Sequence, residues 1–337
     1  MISKRRERKD EHIENYLKTE NRNSTLFEDV YIEHNSLSDV NFEDIDTSID
    51  FLGKKISMPI MINAMTGGGE NSSDINEDLS SICQELNIPM ASGSQAIGLE
   101  EEEAVESFAL MKDKDLVKVG NLGSERSLDD FKKAKEMINA DIMQVHLNVA
   151  QELFMPEGDT DFSNNLKNIK KLIDFYEGNI IAKETGNGMS KAVIQKLLDM
   201  GIKYIDVSGM GGTNFIEIED MRDFDTDFKE FYSWGIPTAK SIIDARSLSK
   251  DVFIIGSGGI KNAVDLAKSL IIGADMAALS GEALRYLLFG GYEACLDYLK
   301  DLQNRLKITM ALLGVKNIEE LKKVDYKVVG RLKDLLS

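Results

Sequence analysis

The sequence predicts an α/β fold of the closed (β/α)8 barrel (TIM barrel) kind. Short β-branched or apolar runs alternate with longer amphipathic ones through eight strand–helix units. The connections are short, which points to parallel strands joined by helical crossovers. The 337 residues also exceed the roughly 250 that such a barrel needs. The excess falls at residues 1–50, at 209–235 and in the C-terminal helices. A doubly wound open sheet fits less well, because no Gly-x-Gly-x-x-Gly follows the first strand.

The elements follow in order. The first strand is expected at 56–64, and Asn71-Ser72-Ser73-Asp74 offers an N-cap for a helix reaching Leu86. A short strand comes at 90–92 and a helix at 100–111. Strand three is 116–119, and Ser127-Leu128-Asp129-Asp130 caps the next helix. Strand four is 141–147, before a helix at 163–176. Strand five is 179–183, with its helix at 190–200, and strand six is 204–208. A long acidic loop precedes a helix at 237–245. Strand seven is 252–255, its helix 263–272, and strand eight 276–279. The remainder reads as helix.

Composition bounds the function. Apolar residues make up 42% and charged residues 29%, a soluble globular balance. No Pro/Ser/Gly-rich linker divides the chain, so one domain is expected over 1–337, with an N-terminal arm at about 1–50. No apolar run reaches the roughly 18 residues of a membrane helix. Met1-Ile2-Ser3-Lys4-Arg5-Arg6 lacks the apolar stretch of a secretory signal. Cys83 and Cys295 are the two cysteines. They are too few for a disulfide framework, so a reducing cytoplasm is expected. The net charge of −18 argues against nucleic acid as a partner. An anionic substrate would then need local positive charge.

Active sites of such barrels lie at the C-terminal ends of the strands. Here those ends carry Ala64-Met65-Thr66-Gly67, Ser94-Gln95, Gly120-Asn121, His146-Leu147-Asn148, Lys183-Glu184, Ser208-Gly209, Gly256-Ser257-Gly258-Gly259 and Leu279-Ser280-Gly281. A single glycine after a strand only makes a turn. Eight polar or Gly-rich ends on one rim exceed what turns require. The last two ends suit phosphate, whose oxygens reach backbone N–H groups where side chains are missing.

Lys183 ends an apolar strand, where a lysine is costly unless it is paired or does chemistry. A salt bridge to Glu184 and a chemical role both satisfy that. His146, Asn148, Gln151 and Glu152 form a dense polar cluster in which His146 and Asn148 share one strand face. His146 reads as a buried structural histidine or a site residue, and Glu152 as a surface carboxylate or a metal ligand. Three histidines with neither His-x-His nor His-Glu-x-x-His argue against a histidine-rich zinc site, and a single Glu suits Mg²⁺ better. Arg8-Lys9-Asp10-Glu11-His12 is either a solvated helix start or a basic clamp for a phosphorylated substrate; Arg8 and His12 share a helical face. The acidic stretch 216–232, with Glu217, Glu219, Asp220, Asp223, Asp225, Asp227 and Glu230, reads as a solvated loop or a lid. The run 100–103 reads as an exposed first turn, and both cysteines and Trp234 as packing.

Together these motifs resemble the flavin-dependent type 2 isopentenyl-diphosphate isomerases. The resemblance runs in order from Arg8-Lys9-x-x-His12 through Met65-Thr66-Gly67-Gly68, Asn121, His146-Leu-Asn-x-x-Gln151-Glu152, Pro156-x-Gly158-Asp159, Lys183-Glu184-x-Gly186-x-Gly188 and Gly211-Gly212-Thr213 to Ser257-Gly258-Gly259. It implies FMN on the barrel rim, Mg²⁺, NADPH as reductant, and interconversion of isopentenyl and dimethylallyl diphosphates. It implies that Ala64, Met65, Thr66, Ser94, Asn121, Lys183, Ser208 and Thr213 hold the flavin. Gly258, Gly259, Ile260, Leu279 and Ser280 would hold its phosphate. Arg8, Lys9, His12, Ser94, Asn148 and Gln151 would serve the substrate, Glu152 the metal, and Gln151, Lys183 and His146 the chemistry. A homo-oligomer, tetramer or octamer, is implied as well. Lys261 stands where such proteins commonly carry arginine, keeping the charge and losing bidentate geometry. An FMN-dependent oxidoreductase and a non-catalytic phosphate-binding barrel are the rival readings. The first is weakened by the lack of a His–Arg pair at the last two strand ends, the second by Gln151-Glu152.

Overall fold

The structure is a computed structural model that describes residues 4–20, 23–69, 71–222 and 227–337. Asp223 and Asp225, and the first three residues of the N-terminal basic segment, lie outside the described residues.

Eight parallel strands close into a barrel: β1 (Ile60–Ile62), β2 (Met90–Ala91), β3 (Lys118–Gly123), β4 (Ile142–Leu147), β5 (Ile180–Glu184), β6 (Tyr204–Asp206), β7 (Phe253–Ser257) and β8 (Met276–Leu279). β8 pairs with β1, which seals the ring. Strand alternation divides the apolar residues. Met61, Val119, Ile142, Ile181, Ile255 and Met276 fill the interior, while Ile60, Ile62, Met143, Val145 and Ile180 pack outward beneath the helices. Burial on both faces makes these strands read as nearly continuous apolar runs. Three crossover helices start on side-chain caps: Ser127 and Asp130 form a reciprocal capping box, and Ser190 and Asn262 cap the helices after β5 and β7.

Several boundaries differ from expectation. The run 56–64 is not one strand. Lys54–Ile56 pairs antiparallel with Ile49–Phe51, and β1 begins only after Pro59. That hairpin closes the N-terminal end of the barrel, with Phe51 against Phe253 and Tyr204 at ring-centroid distances of 5.2 and 6.4 Å. Asn71 makes no side-chain cap. The Ser72 hydroxyl lies there instead, accepting from the Gly69 N–H. The run 100–111 divides into Ala96–Glu100 and Glu102–Ala109. The C-terminal region is not wholly helical, because Tyr326–Val328 pairs with Val30–Ile32. The acidic stretch after β6 contains a helix, Phe215–Asp220, with Glu217 and Glu219 buried. Cys83 and Cys295 are buried, as packing residues should be. Among the described residues no helix is long and apolar enough to cross a membrane.

Candidate active site

The register of the barrel sets the site. Gly123, His146, Lys183 and Asp206 stand side by side at the same level of β3, β4, β5 and β6. Beyond them the strand ends surround a cavity of about 250 Å³. Ala64, Met65, Ser94, Asn121, His146, Asn148, Gln151, Glu152, Lys183, Ser208 and Thr213 line it, with Gly258, Gly259, Ile260, Leu279 and Ser280. Thr66 does not. Its hydroxyl lies 2.7 Å from the Ser72 hydroxyl, committed to the start of the following helix.

The N-terminal helix Lys4–Lys18 is not a solvated segment. It lies across the rim, and Arg8, Lys9, His12, Ile13 and Tyr16 line the same cavity. Arg6 Nε donates to the Gly68 carbonyl at 3.0 Å. At the other end the Arg285 guanidinium stacks 4.9 Å over the Tyr16 ring. Six cationic or imidazole side chains (Arg8, Lys9, His12, His146, Lys183, Lys261) therefore line one space in a protein of net charge −18.

Lys183 is 8% exposed. Its Nζ donates to the Glu184 backbone carbonyl at 2.6 Å and to the Ser208 hydroxyl at 3.4 Å. Of the two readings of Lys183, the salt bridge to the Glu184 carboxylate is not formed, because that side chain turns away to accept the N–H groups of Asn187 and Gly188 at 2.6 and 2.8 Å. No carboxylate among the described residues pairs with Lys183, so its charge faces the cavity.

His146 Nδ1 lies 2.9 Å from Asn121 Oδ1. Burial, reinforced by Lys183, Lys9 and Arg126, pushes this imidazole down to about 3. It is neutral at physiological pH. Asn148 Nδ2 donates to Glu152 Oε1 at 2.6 Å, and the Asp159 N–H donates to Oε2 at 2.9 Å. These bonds fix the Glu152 carboxylate at the cavity wall. Its pKa is raised, because burial, with Glu125 adding repulsion, outweighs them.

Glu219 does not stand out in the sequence. It is fully buried and joins two elements of the site. Its Oε1 lies 2.9 Å from His12 Nε2 and accepts from Gln151 Nε2 at 3.3 Å. Its Oε2 accepts from Arg222 at 2.6 Å. Burial alone would raise this carboxyl; His12 and Arg222 overcome it and hold it near 2. The local signal in the sequence is Asn214, whose side chain accepts from the Glu217 N–H and starts the helix.

These residues fit FMN. Gly258 and Gly259 have φ of +98° and +86°, and a Cβ on either would stand 2.0 and 2.2 Å from the carbonyls of Gly209 and Gly211. Only glycine permits this approach of two loops, and it leaves backbone N–H groups open to a phosphate. Buried Lys183, with no carboxylate partner among the described residues, is a cation that an electron-rich ring would suit.

The comparisons agree with this geometry. The family pattern described as FMN-dependent dehydrogenase matches residues 12–118 and 132–327. An isopentenyl-diphosphate delta-isomerase of Geobacillus sp. (strain WCH70) is 39% identical over 97% of this chain and 94% of its own. That of Methanocaldococcus jannaschii is 38% identical over 100% and 99%. Among solved structures, a mutant flavocytochrome b2 with pyruvate bound superposes with a TM-score of 0.70 at 20% identity, over 96% of this chain and 79% of that one. A mandelate oxidase mutant superposes with 0.66 at 13% identity, over 94% and 92%; at such identities the likeness concerns the barrel alone. By its sequence relatives, the chain belongs to the isopentenyl-diphosphate delta-isomerase family, built on the barrel of the FMN-dependent dehydrogenases.

Proposed function

We propose that this chain interconverts isopentenyl and dimethylallyl diphosphates, with reduced FMN and Mg²⁺ in the cavity and NADPH as reductant. The observation that carries the reading is the convergence of Arg8, Lys9, His12, Asn148, Gln151 and Glu152 on the space that Lys183 and the Gly258-Gly259 loop also face. A double-bond shift adds a proton at one end of the allylic system and removes one at the other, through a transition state with positive charge on carbon. Bound reduced FMN supplies the acid–base chemistry and an electron-rich surface for that charge.

The protein's own groups do the rest. Arg8 and Lys9 take the diphosphate, offsetting repulsion from the acidic surface. Glu152 ligates Mg²⁺, the hard cation that a carboxylate and phosphate oxygens share. Gln151, held by Glu219, orients the substrate. Lys183 stabilises negative charge on the flavin ring. His146, whose imidazole burial keeps neutral, is held at Asn121 and walls the site. His12 and Asn148 support the diphosphate and metal region. The exposed Tyr286, Leu288 and Phe289 support a homo-oligomer, and the reduced cysteines support a cytoplasmic setting.

The deciding experiment is anaerobic incubation of isopentenyl diphosphate with protein, FMN, NADPH and Mg²⁺. Dimethylallyl diphosphate should form with no stoichiometric loss of NADPH. Stoichiometric NADPH oxidation without product would assign the protein to the oxidoreductases instead.

A further inference from the structure

We propose that Arg222 is a positioning residue for this reaction, a single guanidinium that sets the geometry of three cavity residues without touching the substrate. The proposal rests on the isomerase function proposed for the site. Arg222 does not line the cavity. It is 12% exposed and makes three ion pairs, each to a different element. Nη1 meets Glu219 Oε2 at 2.6 Å, Nη2 meets Glu157 Oε1 at 2.8 Å, and Nε meets Glu11 Oε2 at 2.9 Å.

Each partner leads onward. By taking Glu219 Oε2, Arg222 leaves Oε1 facing His12 and Gln151. Glu157 Oε1 is shared, accepting also from Arg8 Nη1 at 3.1 Å. Glu11 belongs to the helix that carries Arg8, Lys9 and His12. One planar fork thus ties the N-terminal helix and the loop after β4 to the helix after β6. Only arginine presents donors in three fixed directions; a lysine offers one point charge on a flexible stem. The charge matters as much as the geometry, since a fully buried carboxylate that loses its guanidinium is strongly penalised.

The test uses the FMN-loaded protein with Arg222→Gln, Arg222→Lys and Glu157→Gln. Turnover, thermal melting and calorimetric binding of pyrophosphate with Mg²⁺ are measured. Misplaced site groups should cost Arg222→Gln about 100-fold in kcat, and Arg222→Lys should recover only a minor part of it. Melting losses with kcat and KM both within about threefold of the parent would overturn the proposal and leave Arg222 a structural residue. Glu157→Gln removes the charge that Arg222 and Arg8 share, leaves the Arg222 pairs to Glu219 and Glu11 in place, and covers the case in which Arg222→Gln does not fold. It should raise KM and the pyrophosphate Kd at least about threefold with little change in kcat, and unchanged or tighter pyrophosphate binding would overturn the proposal. A parent protein without isomerase turnover would sink the isomerase reading itself, while pyrophosphate calorimetry would still decide the positioning role.

Discussion

Nε2 of His12, on the N-terminal helix, lies 2.9 Å from Oε1 of Glu219, on the short helix after β6. Glu219 is wholly shielded from solvent. This contact converts an acidic segment of the sixth loop into part of the site, because a buried carboxylate persists only with cationic or hydrogen-bonding partners. The N-terminal helix supplies one of them.

Glu219→Gln should therefore affect activity and acid stability separately. Loss of the anion that orients His12 and Gln151 should lower kcat by about 100-fold. The folded carboxyl sits near 2, below its ordinary value of 4.5. The stability it contributes is present above 4.5 and is lost as pH falls toward 2. Urea unfolding of the parent should weaken across that interval more steeply than that of Glu219→Gln. Parallel curves would mean that Glu219 is not held ionised.

Lys183→Met tests the flavin contact proposed for this ammonium. Among the described residues the ammonium's hydrogen-bond partners are a carbonyl and a hydroxyl, so methionine keeps the length and leaves few groups unsatisfied. FMN affinity should fall about tenfold to 100-fold, the range for a charge-assisted interaction of roughly 1.5–3 kcal/mol. Flavin fluorescence titration reads this directly, and an unchanged Kd would remove Lys183 from the cofactor site.

Much of the barrel and its rim is legible in the sequence, for physical reasons. Barrel strands buried on both faces cannot be polar, so their runs stand out, and the rim residues are conspicuous because each breaks such a run. His146 and Lys183 are at the same level because each is the last residue but one of its strand and the two pair in register. The N-terminal Arg8 and His12 reveal themselves by a spacing of four that puts them on one helical face. What the sequence hides depends on contacts distant along the chain. Glu219 and Arg222 look like members of a solvated acidic run, since nothing nearby in sequence announces that a helix some two hundred residues earlier will cover them. Thr66 fits the motif, yet its hydroxyl is taken by Ser72. The first strand looks longer than it is because the hairpin residue Ile56 and the β1 residues share one apolar pattern, divided only at Pro59.

Glu152→Gln addresses the metal. Asn148 and the Asp159 N–H hold the carboxylate in place, while burial keeps its pKa raised and favours a cation beside it. The amide keeps the shape and loses the charge. The Mg²⁺ concentration for half-maximal activity should rise at least about tenfold, as when a ligating or adjacent group is lost. An identical Mg²⁺ titration would show that the diphosphate and water alone hold the cation.

Glu184 predicts a pH dependence of opposite sign. Burial pushes its carboxyl up to about 7, although the N–H groups of Asn187 and Gly188 and the charge of Lys183 pull the other way. The fold thus favours the protonated acid. Its stabilising contribution is complete below the ordinary value of 4.5 and is lost as pH rises through about 7. The segment at stake is the turn after β5, directly beyond Lys183, so ionisation should loosen the loop that holds the flavin-side lysine. Melting temperature should therefore decline as pH goes from about 5 to about 8. Glu184→Gln, which cannot ionise and keeps an acceptor for the same N–H groups, should flatten that decline. FMN affinity should follow the same course, weakening with pH in the parent and staying level in the variant. If both proteins melt along parallel curves, the carboxyl is ionised throughout, and the Glu184 anion holds the turn rather than loosening it.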